Sequence, residues 1–333
     1  MGTTTPAFER RLVGYVKLRL EFECVTGLLI RMPVHAQVYK IGGADLYPMT
    51  TRRYYSSLGR VIEVPYVPGS SLKGRMRGLL ELGMGLKLYT TDMKIWQHVR
   101  SLRAMGVEEF TKCVHERIVV DELFGWPAAN FSQIKERWAE VLGRGRKGEE
   151  KREAERKAEE KTKEVYEMLA VTRLLFSDFF PSEEFVSKLR PTSVADFLEE
   201  KSENRIDRIT AAADPRQVVR VVPGVRFEGD VTLLVFDNDR GMVEGYLRTL
   251  VTGLRLIEET YLGGGGSRGY GRVKFNKIRV KAYRISIDGG KWPRVEEVKV
   301  EPEEYGSLDQ FEEAIEKIAE VLEKNYWGGY GEA

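Results

Sequence analysis

The residues of this 333-residue chain best suited to chemistry fall in three places. The first is Asp45, in Lys40-Ile-Gly-Gly-Ala-Asp-Leu-Tyr-Pro48, one of two acids against eight bases between Arg31 and Arg77. A carboxylate amid Lys40, Arg52, Arg53 and Arg60 suits three roles: orienting an attacking hydroxyl, helping to hold a divalent cation, or simply shaping a turn. The second is Pro68-Gly-Ser-Ser-Leu-Lys-Gly-Arg-Met-Arg77. Pro68 and Gly69 mark a turn into a helix, which Ser70 or Ser71 would cap. Ser70, Ser71, Lys73, Arg75 and Arg77 place two hydroxyls and three cations at a helix start, where unpaired N–H groups already favour anions. The third is Gly263-Gly-Gly-Gly-Ser-Arg-Gly-Tyr-Gly271. Gly264, Gly266 and Gly269 keep the spacing G-x-G-x-x-G, but a helical pattern precedes and a strand pattern follows, the reverse of a dinucleotide site. What remains is a backbone able to approach a phosphate, with Arg268 for charge and Tyr270 as a stacking face, which suits RNA.

Other chemistries are poorly served. Cys113 and His115 lie close, with His98 upstream, but four zinc ligands are not in reach of one another, so no zinc is expected. His35, His98 and His115 are the only histidines, and no nucleophile motif accompanies them. His35 reads as a surface histidine of the basic loop.

The elements that must position these residues follow from periodicity. Val16, Leu18, Leu20, Phe22 and Cys24 alternate with charged residues, the pattern of a half-buried strand. Phe227–Phe236 reads as a second strand. Val243, Leu247, Leu250, Val251, Leu254 and Ile257 keep helical spacing, and Val273–Tyr283 returns to strand. Strand, helix and strand in each half predict an α+β sheet with helices on one face. Arg144–Glu167 holds 9 basic and 8 acidic residues, with i,i+4 pairs such as Glu153–Lys157 and Glu159–Lys163. It reads as a solvated helical insertion, paired with Phe131–Leu142. Leu308, Phe311, Ile315, Ile318 and Leu322 form one stripe of a last helix, which Ser307 and Gln310 would open as a capping box.

Composition bounds the setting. Lys plus Arg number 53 and Asp plus Glu 51, for a net charge of +2, with 42% hydrophobic and 31% charged residues. The near-neutral total is partitioned: residues 284–333 hold 6 basic and 13 acidic residues, and the rest 47 and 38. A basic body and an acidic tail point to an anionic partner. No apolar run approaches the roughly 20 residues of a membrane span. The N-terminus lacks the shape of a signal peptide, and Cys24 and Cys113 cannot build a disulfide framework, so a cytoplasmic setting is expected.

Four stretches, in order, carry a resemblance: Pro65-Tyr-Val-Pro-Gly-Ser-Ser-Leu-Lys-Gly-Arg-Met-Arg, Arg173-Leu-Leu-Phe-Ser-Asp, Glu203-Asn-Arg-Ile-Asp-Arg-Ile-Thr-Ala-Ala-Ala-Asp-Pro-Arg, and Leu262-Gly-Gly-Gly-Gly-Ser-Arg-Gly-Tyr-Gly-Arg-Val. Over residues 10–283 the chain resembles the RAMP-superfamily backbone subunits of type III CRISPR effector complexes, the Csm type most closely. The resemblance implies an α+β fold: an RRM-like, ferredoxin-like RAMP core over 10–283, with a β-hairpin thumb at 203–226 and a lid loop, interrupted by the charged helical insertion at 127–170, which has no counterpart there. An acidic extension with a helix, 284–333, has no counterpart there.

In such a family, copies stack along a guide RNA (crRNA), and each thumb interrupts the guide–target duplex. A loop aspartate then cuts target RNA at regular intervals, one cut per subunit, with Mg2+ or Mn2+. Asp45 falls in the matching Gly-x-x-Asp context and takes the catalytic role. Ser70, Ser71, Lys73 and Arg77 match the guide-contacting helix start, and Arg205, Arg208 and Arg216 lie in the thumb region. The implied partners are crRNA, target RNA, other copies or paralogues of the subunit, small subunits, a guide-end-capping subunit and a large polymerase/cyclase-like subunit, with no membrane. The chain departs from the family at Leu29, where an RNA-facing histidine is common, and in having Leu46-Tyr47 between Asp45 and Pro48. Two rival readings remain: a non-catalytic RNA-binding backbone subunit, and a guide-processing endoribonuclease of the same superfamily.

Overall fold

The computed structural model describes residues 10–33, 46–98, 101–126, 130–169, 171–288 and 292–328. In chain order, strand β1 (Leu12–Cys24) is followed by a hairpin of β2 (Thr50–Tyr55) and β3 (Arg60–Pro65) and by helix α1 (Gly69–Gly83). A helical block comes next: α2 (Leu102–Met105), α3 (Val107–His115), α4 (Val119–Phe124), α5 (Phe131–Gly143) and α6 (Glu149–Met168). Then come β4 (Leu174–Phe176), β5 (Phe180–Pro181), α7 (Glu183–Leu189), and a hairpin of β6 (Leu198–Ile206) and β7 (Ala213–Val221). The chain closes with β8 (Arg226–Phe236), α8 (Val243–Glu259), β9 (Val273–Asp288), β10 (Trp292–Val298), β11 (Glu304–Tyr305) and α9 (Leu308–Trp327).

The period-two pattern of β1 places Val16, Leu18, Leu20, Phe22 and Cys24 fully inside. β1 can therefore sit at the centre of the sheet, antiparallel to β8 on one side and β9 on the other. The sheet order is β10-β9-β1-β8-β4, with β11 on β9 and β5 on β8. Its four core strands run fourth, first, third, second, which is the ferredoxin-like arrangement of two β-α-β units. Helices α1 and α8 supply the crossovers and bury Leu72, Met76, Leu80, Leu247, Leu250 and Leu254 in the same core as the inner residues of β1. The outward residues of β1 form cross-strand ion pairs instead, Lys17–Asp230 at 2.9 Å and Arg19–Glu228 at 2.6 Å.

The insertion expected at 127–170 shares its apolar cluster with the residues before it: Tyr89, Leu102, Met105, Phe110 and Val114 join Ile134, Trp138, Ala158 and Val165. The amphipathic faces of α5 and α6 need that partner surface to be buried. Beside it, a buried polar junction ties the helical block to the core. Arg173, from the second motif, grips Asp239 bidentately at 2.9 and 2.6 Å, and Tyr246 donates to Glu122 at 2.6 Å.

The C-terminal extension is not an appendage. β9 runs to Asp288, β10 pairs along its outer edge, and Phe311, Ile315, Ile318 and Leu322 enter the main core. A long strand left with a free edge would be a pairing liability, which β10 removes. Part of the tail's acid is paired within the chain: Arg255 binds Asp309 at 2.7 Å and Glu312 at 2.6 Å, and Arg284 binds Glu296 at 2.5 Å. The expected capping box is half made, since Ser307 accepts the Gln310 N–H but Gln310 reaches back to Gly306. No helix among the described residues is long and apolar enough to cross a membrane. Cys24 and Cys113 are both buried free thiols.

Candidate nucleic-acid interface

Helix α1 begins where the sequence places it, but its cap comes from elsewhere. Pro68 holds the cap position and no serine side chain caps. Ser70 and Ser71 lie inside the first turn, and the Gly69 N–H donates to Asp178 Oδ1 at 2.8 Å. A serine within the first turn already has helical backbone, so its hydroxyl is released outward. Ser70 is exposed and Ser71 half-buried.

The cations of that helix divide. Arg77 is held by Glu81 at 2.6 Å and by the Gly125 carbonyl at 3.2 Å, with Asp121 at 3.6 Å. Arg75 donates to the Tyr261 carbonyl at 3.1 Å and lies 4.0 Å from the centre of the Tyr261 ring. Both make internal ties here, because the helical period turns them towards α4 and the end of α8. Lys73 has no hydrogen-bond or ion-pair partner among the described residues. Partial burial, then Arg77 one turn on, lower its ammonium below the usual lysine range. An anionic ligand would relieve both effects.

The glycine loop is used largely against the chain itself. Gly264 donates to Leu29 O at 2.8 Å and Gly271 to Gly27 O at 2.9 Å. At Gly263 φ is +79°, and a Cβ there would lie 2.5 Å from Leu29 O, so the close approach expected for a phosphate is made by Leu29. Tyr270 is enclosed by the chain. It is 2% exposed, its ring lies against Lys201 at 4.5 Å and Arg220 at 4.7 Å, and its hydroxyl donates to Glu203 at 2.5 Å. Burial and the Glu203 carboxylate push that hydroxyl up to about 12. No base can stack on a ring so enclosed. Tyr270 instead bolts the glycine loop to the β6–β7 hairpin, and Arg268 beside it stays largely exposed.

The β6–β7 hairpin pairs nine residues on each side, from Leu198–Val221 to Ile206–Ala213. Its outer half is exposed on both faces. Asp207 closes the tip by accepting the Thr210 N–H at 2.7 Å and the Ile209 N–H at 3.0 Å, and those bonds lower its carboxyl pKa. Arg205 pairs with Asp214 at 2.9 Å, and Arg216 lies 3.8 Å from the same carboxylate. Arg208 has no partner among the described residues, and Ile209 is 93% exposed. A two-stranded ribbon carrying bare apolar and basic residues is marginal alone and suited to a partner.

Asp45, together with His35, Lys40 and the lid loop around them, lies outside the described residues. The two flanks of that segment are fixed side by side. Arg31 bridges Pro48, Met32 N–H donates to Tyr47 O at 2.9 Å, and Val219 N–H donates to Leu46 O at 2.9 Å. Leu46, the residue after Asp45, is thus seated on the base of the hairpin. Among the described residues no three His, Cys, Asp or Glu side chains gather to hold a metal.

Residues 22–274 match the RAMP superfamily. The chain belongs to the RAMP superfamily. Within it, the chain is 29% identical over 272 residues to a protein of Methanothermobacter thermautotrophicus named CRISPR system Cms endoribonuclease Csm3, covering 81% of this chain and 87% of that one. It is 41% identical over 107 residues to the protein of the same name from Streptococcus thermophilus, covering 32% of this chain and 48% of the relative, about half its length. The crystal structure of Csm3 from Methanopyrus kandleri matches with a TM-score of 0.50 and 20% identity, over 93% of this chain and 98% of that one. That likeness is one of fold, and it agrees with the ferredoxin-like strand order. In this RAMP protein the sequence reading missed Asp178 and Glu203 as positioning residues. Asp178 ends the motif Arg173-Leu-Leu-Phe-Ser-Asp, yet nothing local ties it to a helix more than 100 residues earlier.

Proposed function

We propose that this RAMP protein is a crRNA-binding backbone subunit of a type III CRISPR interference complex, and that it cuts complementary target RNA at Asp45. The observation that carries the reading is the meeting of two sequence-distant elements at Leu46, the glycine loop with Arg268 and the base of the projecting hairpin, while the α1 start keeps Ser70 exposed and Lys73 without a partner among the described residues. Ser70, Ser71 and Lys73 would hold guide phosphates, with hydroxyls and a cation at a helix start. Arg205, Arg208, Arg216 and Arg268 would follow the RNA backbone along the hairpin. The curated relatives are named endoribonucleases, which supports a cutting subunit over an inert scaffold.

Asp45 would act on the 2′-hydroxyl next to the scissile phosphate, by orienting it for attack. Divalent-metal dependence is part of the proposal. The described residues offer no ligand cluster, so Asp45 and the RNA phosphates would supply the donors. Partners in the proposal are target RNA, further copies or paralogues, small and guide-end-capping subunits, and a large polymerase/cyclase-like subunit. Asp45→Ala in the assembled complex is expected to abolish target cutting and leave target binding intact. Chelation is expected to stop cutting in the unaltered complex. Cutting that persists in Asp45→Ala would sink the catalytic assignment, and precursor cutting by the isolated chain would favour the guide-processing rival.

A further inference from the structure

Helices α5 and α6 form an arm whose charge is sorted along its length. Their facing sides bury Ile134, Trp138, Ala154, Ala158 and Val165. At the base, Arg10 donates to the Leu169 carbonyl at 2.6 Å and ties the arm to the start of β1. Every cation of the shaft has a partner. Lys135 and Lys163 share Glu159 at 2.6 and 3.5 Å, Lys157 pairs with Glu153 at 2.8 Å, and Arg137 with Glu140 at 2.7 Å. Arg156 lies 3.9 Å from Glu160, and Lys161 covers the Trp138 ring at 4.6 Å. The tip differs. Residues 144–152 read Arg-Gly-Arg-Lys-Gly-Glu-Glu-Lys-Arg, five cations against two acids, and all nine are exposed. None of those five cations makes a side-chain hydrogen bond or ion pair among the described residues. Gly145 and Gly148 hold φ at +79° and +60°, and a Cβ at either would meet nothing within 4 Å, so the turn stands in open space. α6 spans 20 residues, which carries the tip about 30 Å from the Arg10 tie at 1.5 Å per residue.

We infer that this tip is a separate RNA contact, which grips the phosphates of duplex RNA at a distance from the start of α1. Unpaired cations crowded on one turn repel one another, and an anionic partner relieves that repulsion. A protein partner would be held by apolar or aromatic anchors, and residues 144–152 contain none. Single strands are held largely by stacking bases on aromatic rings. The nearest such rings along the chain are Trp138, which is buried, and Tyr166, at the far end of α6. A duplex keeps its bases stacked and offers phosphates and shape, which is what guanidinium and ammonium groups alone can hold. The inference rests on the RNA-binding half of the proposed function, with guide and target as the two strands.

The test uses the assembled complex with guide, and a variant carrying Arg144→Ser, Arg146→Ser and Lys147→Ser together. Guide retention and melting temperature are expected to stay as they are. The log–log salt slope for capture of a complementary target is expected to fall by about 2.7 per engaged copy, about 0.9 for each of three phosphates, with roughly a tenfold loss of affinity at moderate salt. In the unaltered complex, acetylation of Lys147 and Lys151 by an amine-reactive ester, read by mass spectrometry, is expected to drop several-fold when target is added. That readout does not depend on how the variant folds. An unchanged slope, or lysines equally reactive with and without target, would overturn the inference. So would an equal loss of guide retention, which would make the contact one to a single strand. Protection already complete without target would assign the tip to a protein neighbour and overturn it as well. An unaltered complex that holds no guide would sink the proposed function itself. One that captures target as its variant does would remove the tip contact alone.

Discussion

Asp178 Oδ1 accepts the Gly69 N–H at 2.8 Å, joining the second sequence motif to the start of helix α1. The approach is close: a Cβ at Gly69 would lie 2.6 Å from the Ser177 carbonyl and 2.7 Å from that of Phe176. The glycine of Pro68-Gly-Ser-Ser is therefore set by β4 and the residues after it, and the serines are left for other work. Asp178→Ala is expected to lower stability by about 1 kcal/mol, the usual value of a helix cap. Asp178→Asn should recover most of that loss, since the acceptor survives. Thermal unfolding of the three proteins checks both.

Lys73 and Arg77 are expected to separate binding from stability. Lys73→Ala should leave the melting temperature unchanged and weaken guide RNA whatever its sequence. The log–log salt slope should fall by about 0.7, one phosphate contact to a single strand. Arg77→Ala should cost about 3 kcal/mol of stability by stranding Glu81 and Asp121, both buried, and should leave the salt slope as it is. Filter binding across salt, beside denaturant unfolding, distinguishes them.

Tyr270→Phe removes the hydrogen bond to Glu203 and keeps the ring. A bond to a charged group contributes about 1.5–3 kcal/mol, and here it acts on the hairpin base. Amide hydrogen exchange over Leu198–Glu203 and Val218–Val221 is expected to accelerate at least tenfold, with β1 and β8 unaffected. Uniform acceleration across the sheet would contradict a local anchor.

His98 is expected to give stability a pH dependence. Burial alone would lower its pKa, but the Asp121 carboxylate, with Cys113 and the Lys87 carbonyl, raises it to about 10. Its Nε2 lies 3.4 Å from Asp121. The unfolded chain releases that proton near the ordinary pKa of about 6.5, and the folded chain keeps it to about 10. The contribution is therefore complete below the lower value and lost as pH rises to the higher one. Between those limits the melting temperature of the wild type should fall more steeply than that of His98→Gln.

By itself the sequence determined the alternating strand β1, the start of α1, the helical stripes of α8 and α9, the charged pair α5 and α6, and four motifs that fixed the superfamily. These are local or periodic signals. A strand of period two or a helix of period 3.6 exposes its buried face in the order of its residues, and a motif is read without knowing its neighbours. Tertiary structure alone decided which members of those motifs face out. Tyr270, Arg75 and Arg77 read like RNA contacts because an aromatic ring or a guanidinium looks the same whether it meets a base, a phosphate or its own chain. Glu203, Tyr261 and Glu81 claimed them, and Asp178 took the cap expected of serine. Two of these partners, Glu203 and Tyr261, lie 67 and 186 residues away from the side chains they hold, and Asp178 lies 109 residues from Gly69. Charge followed the same rule: four carboxylates of the acidic tail, which by composition could have met any basic surface, pair with Arg255, Arg279 and Arg284, because β10 and α9 complete the sheet and core that those arginines border.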